Sequence, residues 1–235
     1  DEDDRGVPES PAMTRLPAAM AAAYDRYRER HSASQSGEEE DPASPPVVLF
    51  VVQPGETNTV DQRMMEFALW NHHRIPVVRM SLGEIYERVS LDEASGSLTF
   101  DVSGGDGDGA KRRKQQREVA LVYFRAGYAP ADYPSGYDTS KSGSGVEWLA
   151  RERLERGRAA KCPSLGYHLA GTKKVQQELA RPGSVERFFP TKEDEETCKL
   201  LRSAFAGLYG LGADAAQEDL EAVEDALFGE GGEGR

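Results

Sequence analysis

Six apolar residues stand in a row at 47–52, Val-Val-Leu-Phe-Val-Val. An unbroken run rich in β-branched side chains predicts a strand buried on both faces, as in a parallel sheet. A second strand is expected over 75–80, with Pro76 near its start, where a missing N–H donor is tolerated. Two more are expected over 97–102 and 118–124. Between the first two, Val60, Met64 and Phe67 recur at helical spacing. They predict a helix from Thr59 to Asn71-His72-His73, with those three side chains as its buried stripe. Ser81-Leu82-Gly83-Glu84 has the form of a capping box and opens a short helix. Further helices are expected over 146–158, 172–180, 193–209 and 213–228. Upstream, Leu16, Met20, Ala23 and Tyr27 mark a helix over 17–30, with Pro17 in its first turn.

Polar segments punctuate these elements. Residues 1–12 and 229–235 read as unstructured tails, and 32–46, with Glu38-Glu39-Glu40-Asp41, as a linker or surface insertion. The Gly/Asp block at 103–109 reads as a hairpin tip, and the Ser/Gly-rich stretch at 134–145 as a loop. The alternation of strands and helices predicts an α/β fold, a Rossmann-like three-layer α/β/α domain with a mostly parallel sheet.

Charge narrows the function. The 235 residues carry 41 acidic and 29 basic side chains, a formal net charge of −12. That disfavours nonspecific binding to nucleic acid or to an anionic membrane, both of which need a basic face. The apolar runs are too short to cross a bilayer. Cys162 and Cys198 form no C-x-x-C and no disulfide framework, which suggests a reducing compartment, with the cytoplasm as the expectation. Asp1-Glu2-Asp3-Asp4 has the character of neither a signal nor a basic transit peptide.

Open parallel sheets bind ligands at the carboxyl ends of their strands. Two polar loops follow the most apolar strands: Gln53-Pro54-Gly55-Glu56-Thr57-Asn58 and Arg125-Ala126-Gly127-Tyr128. If the strands are parallel neighbours, the loops share one rim carrying Glu56, Asn58, Gln62, Arg125 and Tyr128. An arginine beside a helix N-terminus suits an anion, and a carboxylate with amides suits an ammonium and a peptide group. The rim therefore reads as a receptor for a small zwitterion. Each residue also has a plainer reading: Thr59-Val60-Asp61-Gln62 is itself a capping box, and Arg125 is an ordinary strand-end charge.

In Gly171-Thr172-Lys173-Lys174, Thr172 reads as an N-cap that places two lysines in a first turn. Positive charge there opposes the helix dipole, and a phosphate would relieve it; two exposed lysines at small cost are the plainer reading. No Walker A motif is present, and no Gly-x-Gly-x-x-Gly follows the first strand, which disfavours a Rossmann dehydrogenase. Lys111-Arg112-Arg113-Lys114 reads as a solvated charge run, His72-His73 as lacking metal partners, and the cysteines as core or free thiols.

Four motifs, in order, resemble eukaryotic glutathione synthetase. They are Glu56-Thr57-Asn58-Thr59-Val60-Asp61-Gln62-Arg63, Val122-Tyr123-Phe124-Arg125-Ala126-Gly127-Tyr128, Arg158-Ala159-Ala160-Lys161-Cys162-Pro163, and Leu169-Ala170-Gly171-Thr172-Lys173-Lys174-Val175-Gln176-Gln177-Glu178-Leu179. The run Ser203-Ala204-Phe205-Ala206-Gly207-Leu208-Tyr209 extends the match. The resemblance implies part of a homodimeric ATP-grasp enzyme that joins γ-glutamylcysteine to glycine with ATP and Mg²⁺, through an acyl phosphate. It implies that Glu56, Asn58, Gln62, Arg125 and Tyr128 hold γ-glutamylcysteine, with Thr57, Ala126 and Gly127 contributing backbone groups. Lys173 would contact ATP phosphate, and Arg151 matches a family arginine with a structural role. The implied layout is an N-terminal helix and linker (1–46), the substrate-binding domain (47–212), and a C-terminal helix and tail (213–235) leading to the ATP-grasp part. Ala126 stands where the family often has an acidic residue. The family's Glu-x-Asn metal stretch and Gly-rich ATP lid do not occur in this sequence, so the span alone is expected to bind dipeptide weakly without catalysis. The alternative is a stand-alone, non-catalytic binding or regulatory domain.

Overall fold

A computed structural model of the chain describes residues 10–32, 44–102, 115–136, 145–213 and 215–229. The expectations for 1–9, for 33–43 of the linker and for both Gly-rich loop centres lie outside these residues, as do Lys111 to Lys114. The chain divides into two compact units, Asp1–Ser164 and Leu165–Arg235. The first helix packs on the sheet and belongs to the first unit.

In the first unit, α1 (Ala12–Ser32) precedes β1 (Val47–Val51), α2 (Thr59–His73), β2 (Val77–Met80) and α3 (Leu82–Arg88). Then come β3 (Val89–Leu91), β4 (Leu98–Val102), β5 (Gln115–Phe124), a single 3₁₀ turn (Pro130–Asp132), α4 (Val146–Arg156) and β6 (Ala160–Cys162). The sheet runs β2-β1-β5-β4-β3, with β6 also on β5. β1 pairs in parallel with β2 and with β5, and β5 in parallel with β6. β3 and β4 are antiparallel, so the sheet is mixed but mostly parallel, as expected.

β1 is buried on both faces. Val47, Leu49 and Val51 meet Leu82 and Ile85 of α3 and Ala150 and Leu154 of α4. Val48, Phe50 and Val52 meet Met20, Tyr24 and Tyr27 of α1 and Met65 and Leu69 of α2. The three layers are therefore α1/α2, sheet, and α3/α4. Ser81 caps α3 with the reciprocal Glu84 bond that its capping box predicts.

Several expectations are corrected. α2 turns Gln62, Met65 and Leu69 inward, while Val60, Met64 and Phe67 face outward, Val60 68 % exposed. A polar residue sits on the inward stripe because both ends of its amide are hydrogen-bonded there, which offsets the burial penalty. α1 starts at Ala12, with the Pro11 carbonyl accepting from Thr14 and Arg15, so Pro17 lies inside the helix rather than in its first turn. Three-residue β3 and β6 are too short for any periodicity to reveal.

The second unit contains α5 (Leu165–Ala170), which the sequence pattern missed, α6 (Lys173–Ala180), α7 (Glu195–Ser203) and α8 (Gln217–Phe228). α7 stops well short of residue 209, before the glycines at 207 and 210, which disfavour helix. α8 begins four residues later than expected. Among the described residues of this unit only Ser184, Val185 and Cys198 are buried. Tyr167, Phe188, Leu211 and Phe228 are exposed. Among the described residues no helix is long and apolar enough to cross a membrane.

Candidate functional site

The parallel pairing of β1 and β5 brings Val51 opposite Phe124, so both loops leave the sheet at the same edge. The Arg125 N–H donates to the Val51 carbonyl at 2.8 Å, continuing the ladder past the strand end. Glu56, Thr57, Asn58 and Gln62 thus share one rim with Arg125, Ala126, Gly127 and Tyr128.

On the β1 side, Glu56 accepts from the Asn58 N–H at 2.7 Å and from the Gln62 amide at 2.8 Å. These two bonds hold its carboxyl below its ordinary value, so it stays an anion. Gln62, 2 % exposed, accepts from Arg79 on β2, which also pairs with Glu66 at 3.0 Å. Because Arg79 only donates, the Gln62 oxygen must face it, and the amide NH₂ must face Glu56. The capping-box reading of Gln62 is overturned: the N-cap of α2 is Asn58, and the Gln62 side chain lies in this inner network. Thr57 and Asn58 are exposed.

On the β5 side, the half-buried Arg125 guanidinium lies 3.8 Å from Asp61 of α2 and 3.5 Å from the Tyr123 hydroxyl. Tyr128 is largely exposed, while the Ala126 methyl is buried in the core. Gly127 has φ +93°, and a Cβ there would lie 3.3 Å from both Arg151 Nη1 and the Tyr133 hydroxyl. The Gly127 N–H donates to Asp132 at 2.9 Å, and its carbonyl accepts from Tyr133 at 2.9 Å. Asp132 also takes the N–H groups of Tyr128 and Ala129, and the Gln53 amide at 2.9 Å. Burial alone would raise the Asp132 carboxyl; the backbone N–H groups and Gln53 outweigh it and hold the carboxyl low. Sequence reasoning missed Asp132, because its donors are backbone groups that no side-chain pattern announces. Arg151 lies against the loop at Gly127, its guanidinium 3.8 Å over the Phe124 ring and paired with Glu155 at 2.9 Å.

Lys173 lies in the second unit, in the first turn of α6, and donates to Gln176 at 3.1 Å. Thr172 is the N-cap, accepting from the Val175 N–H, as its position predicts. Cys162 and Cys198 are free thiols. His72 and His73 lie at the exposed end of α2.

A mostly parallel sheet flanked by helices, with adjoining loops at the carboxyl ends of two central parallel strands, defines the class of open α/β domains. The chain belongs to the eukaryotic glutathione synthase family, whose model matches residues 46–170. Glutathione synthetase of Dictyostelium discoideum is 38 % identical over 181 residues, 77 % of this chain and 33 % of that protein. The human enzyme is 40 % identical over 181 residues, 77 % of this chain and 32 % of that protein. The chloroplastic enzyme of Solanum lycopersicum is 36 % identical over 225 residues, 96 % of this chain and 33 % of that protein. The chain thus spans about a third of the length of these curated relatives. Among solved structures, a glutathione synthetase-like effector of Globodera pallida, in apo form, shares the fold. Its TM-score is 0.50 at 17 % identity, over 83 % of this chain and 35 % of that one.

Proposed function

We propose that this span is the γ-glutamylcysteine-binding part of an ATP-dependent ligase that joins the dipeptide to glycine. The observation that carries the reading is the meeting of the Glu56–Gln62 and Arg125–Tyr128 motifs at one rim, tied by the Arg125 N–H on the Val51 carbonyl. Arg125 and Tyr128 take a carboxylate of the dipeptide. Glu56, kept ionised by Asn58 and Gln62, takes its ammonium. Asn58, exposed beside them, takes a peptide group.

Lys173, cationic at the N-terminal end of α6, suits a phosphate of ATP, because charge and helix dipole there both favour an anion. ATP, when bound, supplies the phosphoryl group that activates the dipeptide carboxylate. Mg²⁺ is assigned no residue: among the described residues no group of three or more His, Cys, Asp or Glu side chains is placed to hold a metal. A homodimer of the whole protein, in a reducing aqueous compartment such as the cytoplasm, completes the proposal.

Titration calorimetry of the chain with γ-glutamylcysteine tests it. Saturable binding, lost in Arg125→Ala and Glu56→Ala and absent for free glycine, is the expected result. Equal affinity of both variants and the unaltered chain would sink the assignment of the rim.

A further inference from the structure

Three successive N–H groups, of Gly127, Tyr128 and Ala129, converge on one oxygen of Asp132 at 2.9, 3.1 and 3.0 Å. A concave run of backbone N–H groups is the arrangement with which proteins bind phosphate and carboxylate ligands. Here a carboxylate of the chain itself fills the nest. Asp132 is only 7 % exposed, and its second oxygen receives Gln53 from the β1 loop at 2.9 Å. One side chain thereby ties both loops of the rim together. The loop is also fixed from its other side, by Tyr133 on the Gly127 carbonyl and by the packing of Tyr133 and Arg151 against Gly127.

We propose that Asp132 is a positioning residue for dipeptide recognition: its carboxylate occupies the 127–129 nest so that Arg125 and Tyr128 are presented to the ligand. This rests on the reading of the rim as the γ-glutamylcysteine subsite. With its three N–H groups held by a fixed negative charge, the 127–129 backbone offers the ligand no anion site. Recognition of the dipeptide's carboxylate falls to the Arg125 guanidinium, which makes the subsite selective for a group that suits an arginine fork. The nest keeps its affinity for carboxylates once the side chain is removed, so an external carboxylate of the same size takes the place of Asp132.

The experiment compares the unaltered chain with Asp132→Ala and Asp132→Asn, using formate as the probe and sodium chloride as the ionic-strength control. Dipeptide affinity is measured by calorimetry at a temperature where circular dichroism shows each variant folded, and melting is followed separately. Asp132→Ala is expected to weaken dipeptide binding by about tenfold or more, since it strips a charged acceptor from four donors. Formate is expected to restore much of that affinity and to raise the melting temperature of Asp132→Ala alone, with no matching effect of chloride. Asp132→Asn, whose amide oxygen still accepts from the nest, is expected to keep most of the affinity and to ignore formate. Asp132→Ala with undiminished affinity would overturn the positioning role, and a loss of stability that formate does not reverse would overturn the nest. An unaltered chain that ignores the dipeptide, beside an Asp132→Ala variant that formate stabilises, would overturn the subsite reading and uphold the nest.

Discussion

The Arg158 guanidinium and the Glu118 carboxylate meet at 2.6 Å, 40 residues apart in sequence. The Tyr27 hydroxyl donates to the same carboxylate oxygen, Ser97 donates to it at 2.7 Å, and Arg158 also donates to Tyr27 at 2.9 Å. The cluster pins α1 to β5 at the end of the sheet away from the rim. Both charged side chains are about four-fifths buried. Removing one partner leaves the other poorly solvated, so Glu118→Gln and Arg158→Met should each cost about 2 kcal/mol. Urea unfolding checks this, and a double variant whose loss equals the sum of the two would show that the pair does not act as a unit.

Acid should loosen the same cluster. Burial raises the Glu118 carboxyl, but hydrogen bonds from Tyr27, Arg158 and Ser97 outweigh it and hold the group below its ordinary value. Asp132 is held low as well. A carboxyl depressed on folding adds stability above its unfolded value and loses it as the pH falls through the folded one. Stability should therefore be flat near neutrality and decline below the ordinary carboxylate range. The decline should be shallower in Glu118→Gln, and equal slopes for the two proteins would rule out Glu118 as a contributor.

Two glycines with positive φ should respond differently to alanine. Gly127 and Gly55 have φ of +93° and +68°, yet a Cβ at Gly55 meets nothing within 4 Å, whereas at Gly127 it presses on Arg151 and Tyr133. Gly55→Ala carries backbone strain only, on the order of 1 kcal/mol, while Gly127→Ala adds the displaced neighbours and should cost about 2–3 kcal/mol. Equal melting temperatures for the two variants would contradict this.

Replacing Arg79 should disturb Glu56 without touching it. Arg79→Met leaves the Gln62 oxygen without its donor and Glu66 without one of its two arginine partners. The expected cost is about 1–3 kcal/mol, with weaker dipeptide binding, because the Gln62 amide no longer has one enforced orientation. Unchanged affinity in a destabilised variant would confine Arg79 to folding.

Hydrogen exchange should separate the two units. β1 is buried on both faces, whereas the second unit buries almost none of its described residues. Amides of β1 and the centre of β5 should be the slowest to exchange, and those of α6 and α8 should exchange through cheap local openings. Comparable protection in α8 and β1 would overturn that ranking.

What the sequence disclosed follows from how each feature is encoded. β1 was readable because burial on both faces writes an unbroken apolar run, and the rim was readable only on the condition that the two apolar strands are parallel neighbours, which β1 and β5 are. The inward face of α2 was not, because Gln62 is a polar residue whose solvent is replaced by Glu56 and Arg79, partners fixed only by the fold. Asp132 was hidden for a related reason: its donors are backbone N–H groups, which every sequence supplies. Glu118 and Arg158 become neighbours only once β5 and β6 lie side by side.

β5 also works as a spacer. Its first residue, Gln115, pairs with Val102 of β4, and its last, Phe124, adjoins Arg125 of the rim. At about 3.3 Å per residue, the chain connecting β4 to β5 joins the sheet roughly 30 Å from Arg125. A dye or affinity handle attached at Val102 would therefore be anchored at the opposite end of the sheet from Arg125.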